Sequence, residues 1–311
     1  MLALTFPGQG SQSVGMGKEI ADAYPEAKAV FQEVDEALGE KLSDIIWNGS
    51  EEALTLTANA QPALMAVSIA MIKAMEAEGF QVTRADYVAG HSLGEYSALA
   101  ATHALSISDT ARLLRIRGEA MQAAVPVGVG AMAAIIGMEQ NALDAVCLDS
   151  SNEQTQCQIA NDNGGGQLVI SGHKSAVDSV MAAASESGAK RAMLLPVSAP
   201  FHSTLMQPAA DRMAEALDSI DIEPTIVPII SNVLAEPISH PEDIKKRLVE
   251  QVTGRVRWAE SVGYMSTEGV SHIWEIGAGK VLTGLARRID RDMSGMAINK
   301  ADDIATALNA L

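Results

Sequence analysis

The chain has 311 residues, 48% hydrophobic and 20% charged, which supplies enough apolar material for a large core and matches a globular enzyme. Its 22 basic residues face 39 acidic ones, and the resulting net charge of −17 opposes non-specific binding to nucleic acid or anionic lipid, both polyanions. Aromatics are only 4%, so small aliphatics and 15 Met must fill the interior, while Cys147 and Cys157 lack CxxC or Cys/His metal spacing and read as reduced thiols of a cytoplasmic protein.

Leu2 to Phe6 reads as a short buried strand, broken by Pro7 and the turn Gly8-Gln9-Gly10. Ala21 to Leu38 has helical periodicity with an acidic outer face, and a second helix is expected from Gln61-Pro62 to Gly79, with Pro in its first turn. The most apolar stretch, Ala63 to Met75, is interrupted by Lys73 and falls well short of the ~20 residues that span a bilayer. The N-terminus has no basic region ahead of an apolar one. No membrane insertion is expected. Tyr87-Val88-Ala89 is a strand entering Gly90-His91-Ser92-Leu93-Gly94, followed by an Ala-rich helix from Glu95 to His103. Ser108-Asp109 opens another helix that passes Arg112, Arg115 and Arg117 to about Ala124.

Pro126 to Gly130 breaks this pattern. Strand Ala131 to Gly137, helix Glu139 to Ser150, strands Gln156 to Ala160 and Gln167 to Ser171, helix Ser175 to Gly188 and strand Lys190 to Pro196 follow, with a hairpin signal at Asn161 to Gly166. That β-α-β-β-α-β order is ferredoxin-like. After the insertion come helix Pro208 to Leu217, strand Val227 to Asn232, helices Asp243 to Val252 and Trp258 to Glu268, strand His272 to Ile276 and helix Val281 to Arg288. Alternating strands and helices imply a parallel sheet covered on both faces. The expected fold is α/β: a hydrolase-like parallel-sheet core, residues 1–126 and 197–311, with an inserted ferredoxin-like subdomain, residues 127–196.

Gly90-His91-Ser92-Leu93-Gly94 fits G-x-S-x-G between a strand and a helix, the setting of a nucleophile elbow. The chain reverses so tightly there that the flanking residues must lack a Cβ, and the Leu93 N–H falls at a helix start, where it could hold an oxyanion. A serine hydroxyl needs a base to take its proton. Of the six histidines, His91 adjoins Ser92, where neighbouring side chains diverge, and His103, His173, His240 and His272 read as surface, capping or strand-start residues. His202 follows a strand and the constrained loop through Pro200-Phe201, the kind of strand-end segment on which α/β sheets place catalytic groups. An arginine could bind a carboxylate through two parallel N–H···O contacts, but Arg112, Arg115 and Arg117 lie too close together for sequence to choose among them. Gly8-Gln9-Gly10 lacks the third glycine of a dinucleotide site and Gly17-Lys18 is no phosphate loop, so no nucleotide cofactor is expected.

The sequence resembles the malonyl-CoA:acyl-carrier-protein transacylases of bacterial fatty acid synthesis. The resemblance is carried by Phe6-Pro-Gly-Gln-Gly-Ser-Gln12, Gly90-His-Ser-Leu-Gly-Glu-Tyr96, Arg117-Gly118, Met121-Gln122, Gly130-Ala131-Met132, Asn161, Ser198-Ala-Pro-Phe-His-Ser203, Ser231-Asn232 and Gly279-Lys-Val-Leu-Thr-Gly284. It implies malonyl-CoA and acyl carrier protein as partners, with no cofactor and no metal. By the same resemblance Ser92 is the acylated nucleophile, His202 its base and the N–H groups of Gln9 and Leu93 an oxyanion hole. Arg117 would bind the malonyl carboxylate, Met121, Met132 and Asn161 would join Gln9 around the substrate, and the Gln251 carbonyl would orient His202. Phe201 would leave little room for a methylmalonyl branch, worth only ~1–3 kcal/mol of selectivity. Two positions depart from the family pattern: His103 where relatives commonly carry Gly, and Ala278 where they carry Pro. Both expected partners are acidic, so a local basic rim is needed, from Lys280 with Arg287 and Arg288 or from Lys190 with Arg191. Two alternatives stay open: a serine esterase with a triad acid among Asp144, Asp149, Asp162 and Asp178, and a carrier-docking subunit with a vestigial site.

Overall fold

The computed structural model describes residues 1–197 and 199–310, so Ser198, the first residue of the Ser198–Ser203 motif, lies outside the described residues. Its strands are β1 Leu2–Phe6, β2 Tyr87–Gly90, β3 Gly130–Ile136, β4 Cys157–Asp162, β5 Gln167–His173, β6 Arg191–Leu194, β7 Ile229–Ile230, β8 Pro237–Ile238, β9 Val256–Arg257, β10 His272–Ile276 and β11 Ser294–Ile298. They form two sheets, of order β11-β10-β1-β2-β7-β8 and β6-β3-β5-β4-β9.

The first sheet is parallel from β11 to β7, with β8 antiparallel at its edge. Its inner strands β10, β1, β2 and β7 are buried on both faces because alternate side chains feed two cores. Leu4, Phe6, Val88, Ile229 and Trp274 meet helices Pro25–Leu38, Thr57–Ala77, Gly94–Ala101, Ile107–Ala123 and Gln207–Asp218. Ala3, Ala89, Ile230 and Ile273 meet helices Trp258–Thr267 and Val281–Ile289.

In the second sheet, Ala133, Ile135, Leu168 and Ile170 pack against helices Gln140–Asp149 and Lys174–Glu186. Met132, Ala134 and Val169, one residue out of phase, point the other way and line a cavity facing the first sheet. That one-residue alternation assigns one face of the second sheet to its own core and the other to the cavity.

Some expected boundaries shift. Residues 21–38 form two helices, Lys18–Ala23 and Pro25–Leu38, because Pro25 cannot continue the first and suits the opening turn of the second. The helix expected at Gln61 starts a turn earlier, at Thr57, and holds Pro62 inside it. Its early turn is packed under helix Ile107–Ala123 so closely that a Cβ on Gly118 would lie 2.6 Å from Ala58 Cα. Only Ile229–Ile230 of the expected Val227–Asn232 strand pairs in the sheet, and Asn232 leaves it toward the site. His103 lies beyond the helix ending at Ala101, with φ +59°, in the left-handed conformation that glycine adopts without a steric cost of about 1 kcal/mol.

Candidate active site

The C-terminal ends of β1, β2 and β7 deliver Gln9, Ser92 and Asn232 to one end of the parallel sheet, where α/β sheets place ligands. Ser92 has φ +54°, a strained conformation for a residue with a side chain. The turn is tight enough that a Cβ on Gly90 would come within 1.8 Å of the Gly94 carbonyl carbon, and one on Gly94 within 2.2 Å of Phe6 O. Asn232 clamps it from beneath, accepting from Ser92 N–H at Oδ1 (2.8 Å) and donating from Nδ2 to Gly90 O (2.6 Å). Gln251 Nε2 holds the Ser92 carbonyl at 2.9 Å.

Ser92 Oγ lies 2.7 Å from His202 Nε2. His202 Nδ1 lies 2.8 Å from the Gln251 main-chain carbonyl. A carbonyl can only accept, so Nδ1 carries the proton and Nε2 is free to accept from the serine. None of Asp144, Asp149, Asp162 and Asp178 is the partner of His202, and the chain has a Ser–His pair oriented by main chain. Burial, then the nearby Arg117 charge, depress the imidazole to about 3, against the pull of the Gln251 carbonyl. His202 is therefore neutral across the physiological range. Its own φ is +56°, and Gln158 Nε2 holds its carbonyl at 3.2 Å.

The three arginines of helix Ile107–Ala123 separate once the helix is docked. Arg112 pairs with Asp109 on the surface and Arg115 with Glu40, while Arg117 is 1% exposed. Arg117 Nη1 donates to Gln61 Oε1 (2.7 Å), and Nη2 donates to Gln251 Oε1 (2.7 Å) and Ser92 Oγ (3.1 Å). Burial lowers its pKa, opposed by the nearby Tyr96 and Glu95 groups.

These groups open on a cavity of about 420 Å³, a size that suits a small acyl group with part of its carrier arm. Gln9, Ser92, Leu93, Arg117, Met121, Met132, Asn161, Phe201 and His202 all line it, and Gln251 stands behind. No backbone carbonyl among the described residues accepts from the N–H of Gln9 or Leu93. Asn161 is displaced toward the cavity by a β-bulge in β4. Of the two basic groups, Lys280 directly precedes Val281, which lines the cavity, and Arg288 donates to Gln167 Oε1 at 3.1 Å. Lys190 and Arg191 lie at β6, an edge strand of the second sheet. Among the described residues no group of three or more His, Cys, Asp or Glu gathers as metal ligands, and no helix is long and apolar enough to cross a membrane.

Three participants escaped sequence reasoning. Gln61 was legible only as a helix start, and Glu95 and Asn232 only as parts of quoted motifs without a role. The available signal was a polar residue leading an apolar run, Gln61 before Pro62-Ala-Leu-Met, and the single charged residue of Gly94–Ala101, Glu95. His91 was the fourth surprise. It is half-buried beside Trp258, with Nε2 2.9 Å from Asn163 Oδ1, linking the elbow to the β4–β5 turn.

The acyl transferase domain family model matches residues 4–280. A malonyl CoA-acyl carrier protein transacylase of Bacillus subtilis (strain 168) is 48% identical over 310 residues, covering 100% of this chain and 97% of its own. The crystal structure of an acyl-carrier-protein-S-malonyltransferase from Bartonella henselae superposes with a TM-score of 0.97 at 57% identity, over 99% of this chain and 98% of that one. A malonyl-transacylase solved in complex with its type II PKS acyl-carrier protein superposes with a TM-score of 0.96 at 39% identity, over 100% and 99%.

Proposed function

This chain belongs to the acyl transferase family, among the malonyl CoA-acyl carrier protein transacylases, and we propose that it works by a two-step exchange through malonyl-Ser92. It moves malonyl groups from coenzyme A to acyl carrier protein. The single observation that carries the mechanism is the 2.7 Å contact between Ser92 Oγ and a His202 kept neutral by burial and held in the right tautomer by the Gln251 carbonyl.

In the first step Ser92 Oγ attacks the thioester carbonyl and passes its proton to His202 Nε2. The N–H groups of Gln9 and Leu93 take the oxyanion, helped by the positive end of helix Gly94–Ala101. As the C–S bond breaks, the thiolate takes the proton from His202 and leaves as coenzyme A thiol. An imidazole held at about 3 is a poor place to keep that proton, which favours its delivery to the leaving sulfur. In the second step the phosphopantetheine thiol of acyl carrier protein gives its proton to His202 and attacks malonyl-Ser92, and as the ester C–O bond breaks the departing Ser92 oxygen takes that proton back from His202 Nε2. Arg117 holds the free carboxylate, with Met121, Met132, Asn161 and Phe201 around the acyl chain.

We assign residues 1–126 and 197–311 to a hydrolase-like core and 127–196 to a ferredoxin-like insertion, supported by the spatial order β6-β3-β5-β4 with both helices on one face. We place the reaction in the cytoplasm, where the free thiols of Cys147 and Cys157 would stay reduced. Intact-mass measurement after mixing with malonyl-CoA tests the reading. Wild type gains one malonyl group and Ser92→Ala gains none; an unlabelled wild type overturns it.

A further inference from the structure

The proposed mechanism uses one positive charge, yet a carboxyl group lies in the same buried cluster. Glu95 is 1% exposed and accepts at Oε2 from Gln251 Nε2 (2.7 Å) and the Asn232 N–H (3.4 Å). The other end of the same amide, Gln251 Oε1, accepts from Arg117 Nη2 at 2.7 Å. Gln251 is thus a neutral spacer, its acceptor turned to a cation and its donor to an acid. Among the described residues no carboxylate touches the Arg117 guanidinium, which donates to Gln61, Gln251 and Ser92 and lies over the Tyr96 ring.

Other charges are remote or silent. Of the strands beside helix Gly94–Ala101, β1 and β7 carry no acid or base, and β2 carries only Tyr87, set edge-to-face against Tyr264. On helix Thr57–Ala77, Lys73 and Glu76 pair with each other. On helix Ile107–Ala123, Asp109 pairs with Arg112, Arg115 with Glu40, and Glu119 is exposed. Tyr96 is pushed up by burial and His202 held down by it, so both are neutral at pH 7. On helix Pro241–Thr253, which brings Gln251 to Glu95, Arg247 pairs with Glu250. Among the described residues Arg117 is the one charged group acting on Glu95.

We propose that Glu95 and the incoming malonyl carboxylate share the single Arg117 charge, so that binding the malonyl group drives uptake of one solvent proton by the Glu95 carboxylate. This rests on the reading that Arg117 receives the acyl carboxylate. Two carboxylates and one guanidinium enclosed together leave an uncompensated buried anion, and protonating one acid removes it. Burial already raises the Glu95 carboxyl to about 7, held back by its bonds to Gln251 and Asn232 and by the Arg117 charge. A second anion on Arg117 withdraws part of that restraint, and Glu95 is the group that gives way. An acetyl group carries no such anion and drives no uptake.

The sign follows. Malonyl is accepted best with Glu95 protonated, so preference for malonyl over acetyl falls as pH rises through about 7. The test is kcat/KM for malonyl-CoA and acetyl-CoA from about pH 6 to about pH 9, in wild type and Glu95→Gln. The wild-type malonyl-to-acetyl ratio falls with pH by up to about tenfold per unit, and the variant ratio is flat. A flat wild-type ratio, or an equal fall in the variant, overturns the inference. If the variant does not fold, wild type is mixed with each thioester in weakly buffered indicator solution. A larger proton uptake with malonyl-CoA supports the coupling, and equal signals overturn it. Failure of malonyl-CoA to label Ser92 sinks the functional reading itself, whereas a labelled Ser92 with pH-independent preference sinks only this inference.

Discussion

Arg117 is bonded directly to Ser92, its Nη2 donating to Oγ across 3.1 Å. The same hydroxyl lies 2.7 Å from His202 Nε2, so one oxygen accepts from a guanidinium while it donates to an imidazole. On the proposed reading, a carboxylate arriving at Arg117 would compete for that guanidinium and free the oxygen to attack, so that recognition of the acyl group's acid end and activation of the hydroxyl would meet at one atom.

Replacing Arg117 with Ala removes a buried charge-assisted contact worth about 1.5–3 kcal/mol, a loss of roughly 10- to 100-fold. The loss should fall on malonyl transfer and largely spare acetyl transfer, read as kcat/KM for the two thioesters. Equal losses would remove the carboxylate-binding role.

His202 sits at about 3 in the folded chain against about 6.5 in an unfolded one. Transfer from acetyl-CoA should therefore show no acid limb near pH 6.5 and stay flat down to where folding fails. The stability linked to this histidine is full above about pH 6.5 and is lost as pH falls toward about 3, by up to about 1.4 kcal/mol per unit. Urea unfolding against pH, with His202→Asn as reference, reads that slope as the difference between the two proteins.

Two glycine substitutions should move in opposite directions. Gly94→Ala drives a Cβ to 2.2 Å from Phe6 O, so it should abolish labelling of Ser92 and lower the melting temperature. Gly284→Ala, in helix Val281–Ile289 with nothing within 4 Å of the new methyl, should stabilise by about 0.5–1 kcal/mol. Thermal melts of both variants decide the matter.

Phe201 lines the cavity and is 8% exposed. Phe201→Val should shift the kcat/KM ratio of methylmalonyl-CoA to malonyl-CoA upward by about 10- to 100-fold, the range of ~1–3 kcal/mol for making room for one methyl group. An unchanged ratio would place the selecting wall elsewhere.

The elbow was legible because its chemistry is local. Gly90 and Gly94 flank Ser92 within five residues, and the need for glycine at 90, whose Cβ would strike Gly94, is a property of that short turn, whereas Gly94 must also clear Phe6 at the end of β1. Much of the strand and helix order was legible too, since alternation and punctuation are local signals, but helices Leu42–Asn48, Glu51–Thr55 and Ala301–Leu308 and strands β8, β9 and β11 were not among the expected elements. At Thr57 distant packing had intervened, its helical turn being covered by the Gly118 crossing.

The choice of Arg117 over Arg112 and Arg115 was not local. All three lie on one helix, and only docking against Gln61 and Gln251, 56 and 134 residues away in sequence, buries one and leaves the others with surface partners. Gln251 likewise binds His202, Arg117, Glu95 and the Ser92 carbonyl from a helix whose sequence shows only amphipathic periodicity. A single chain can state which groups it owns and how a five-residue turn must bend. Which of them share a low-dielectric enclosure, and so feel one another's charge, depends on contacts between residues far apart in the chain, and only the folded sheets and helices bring those together.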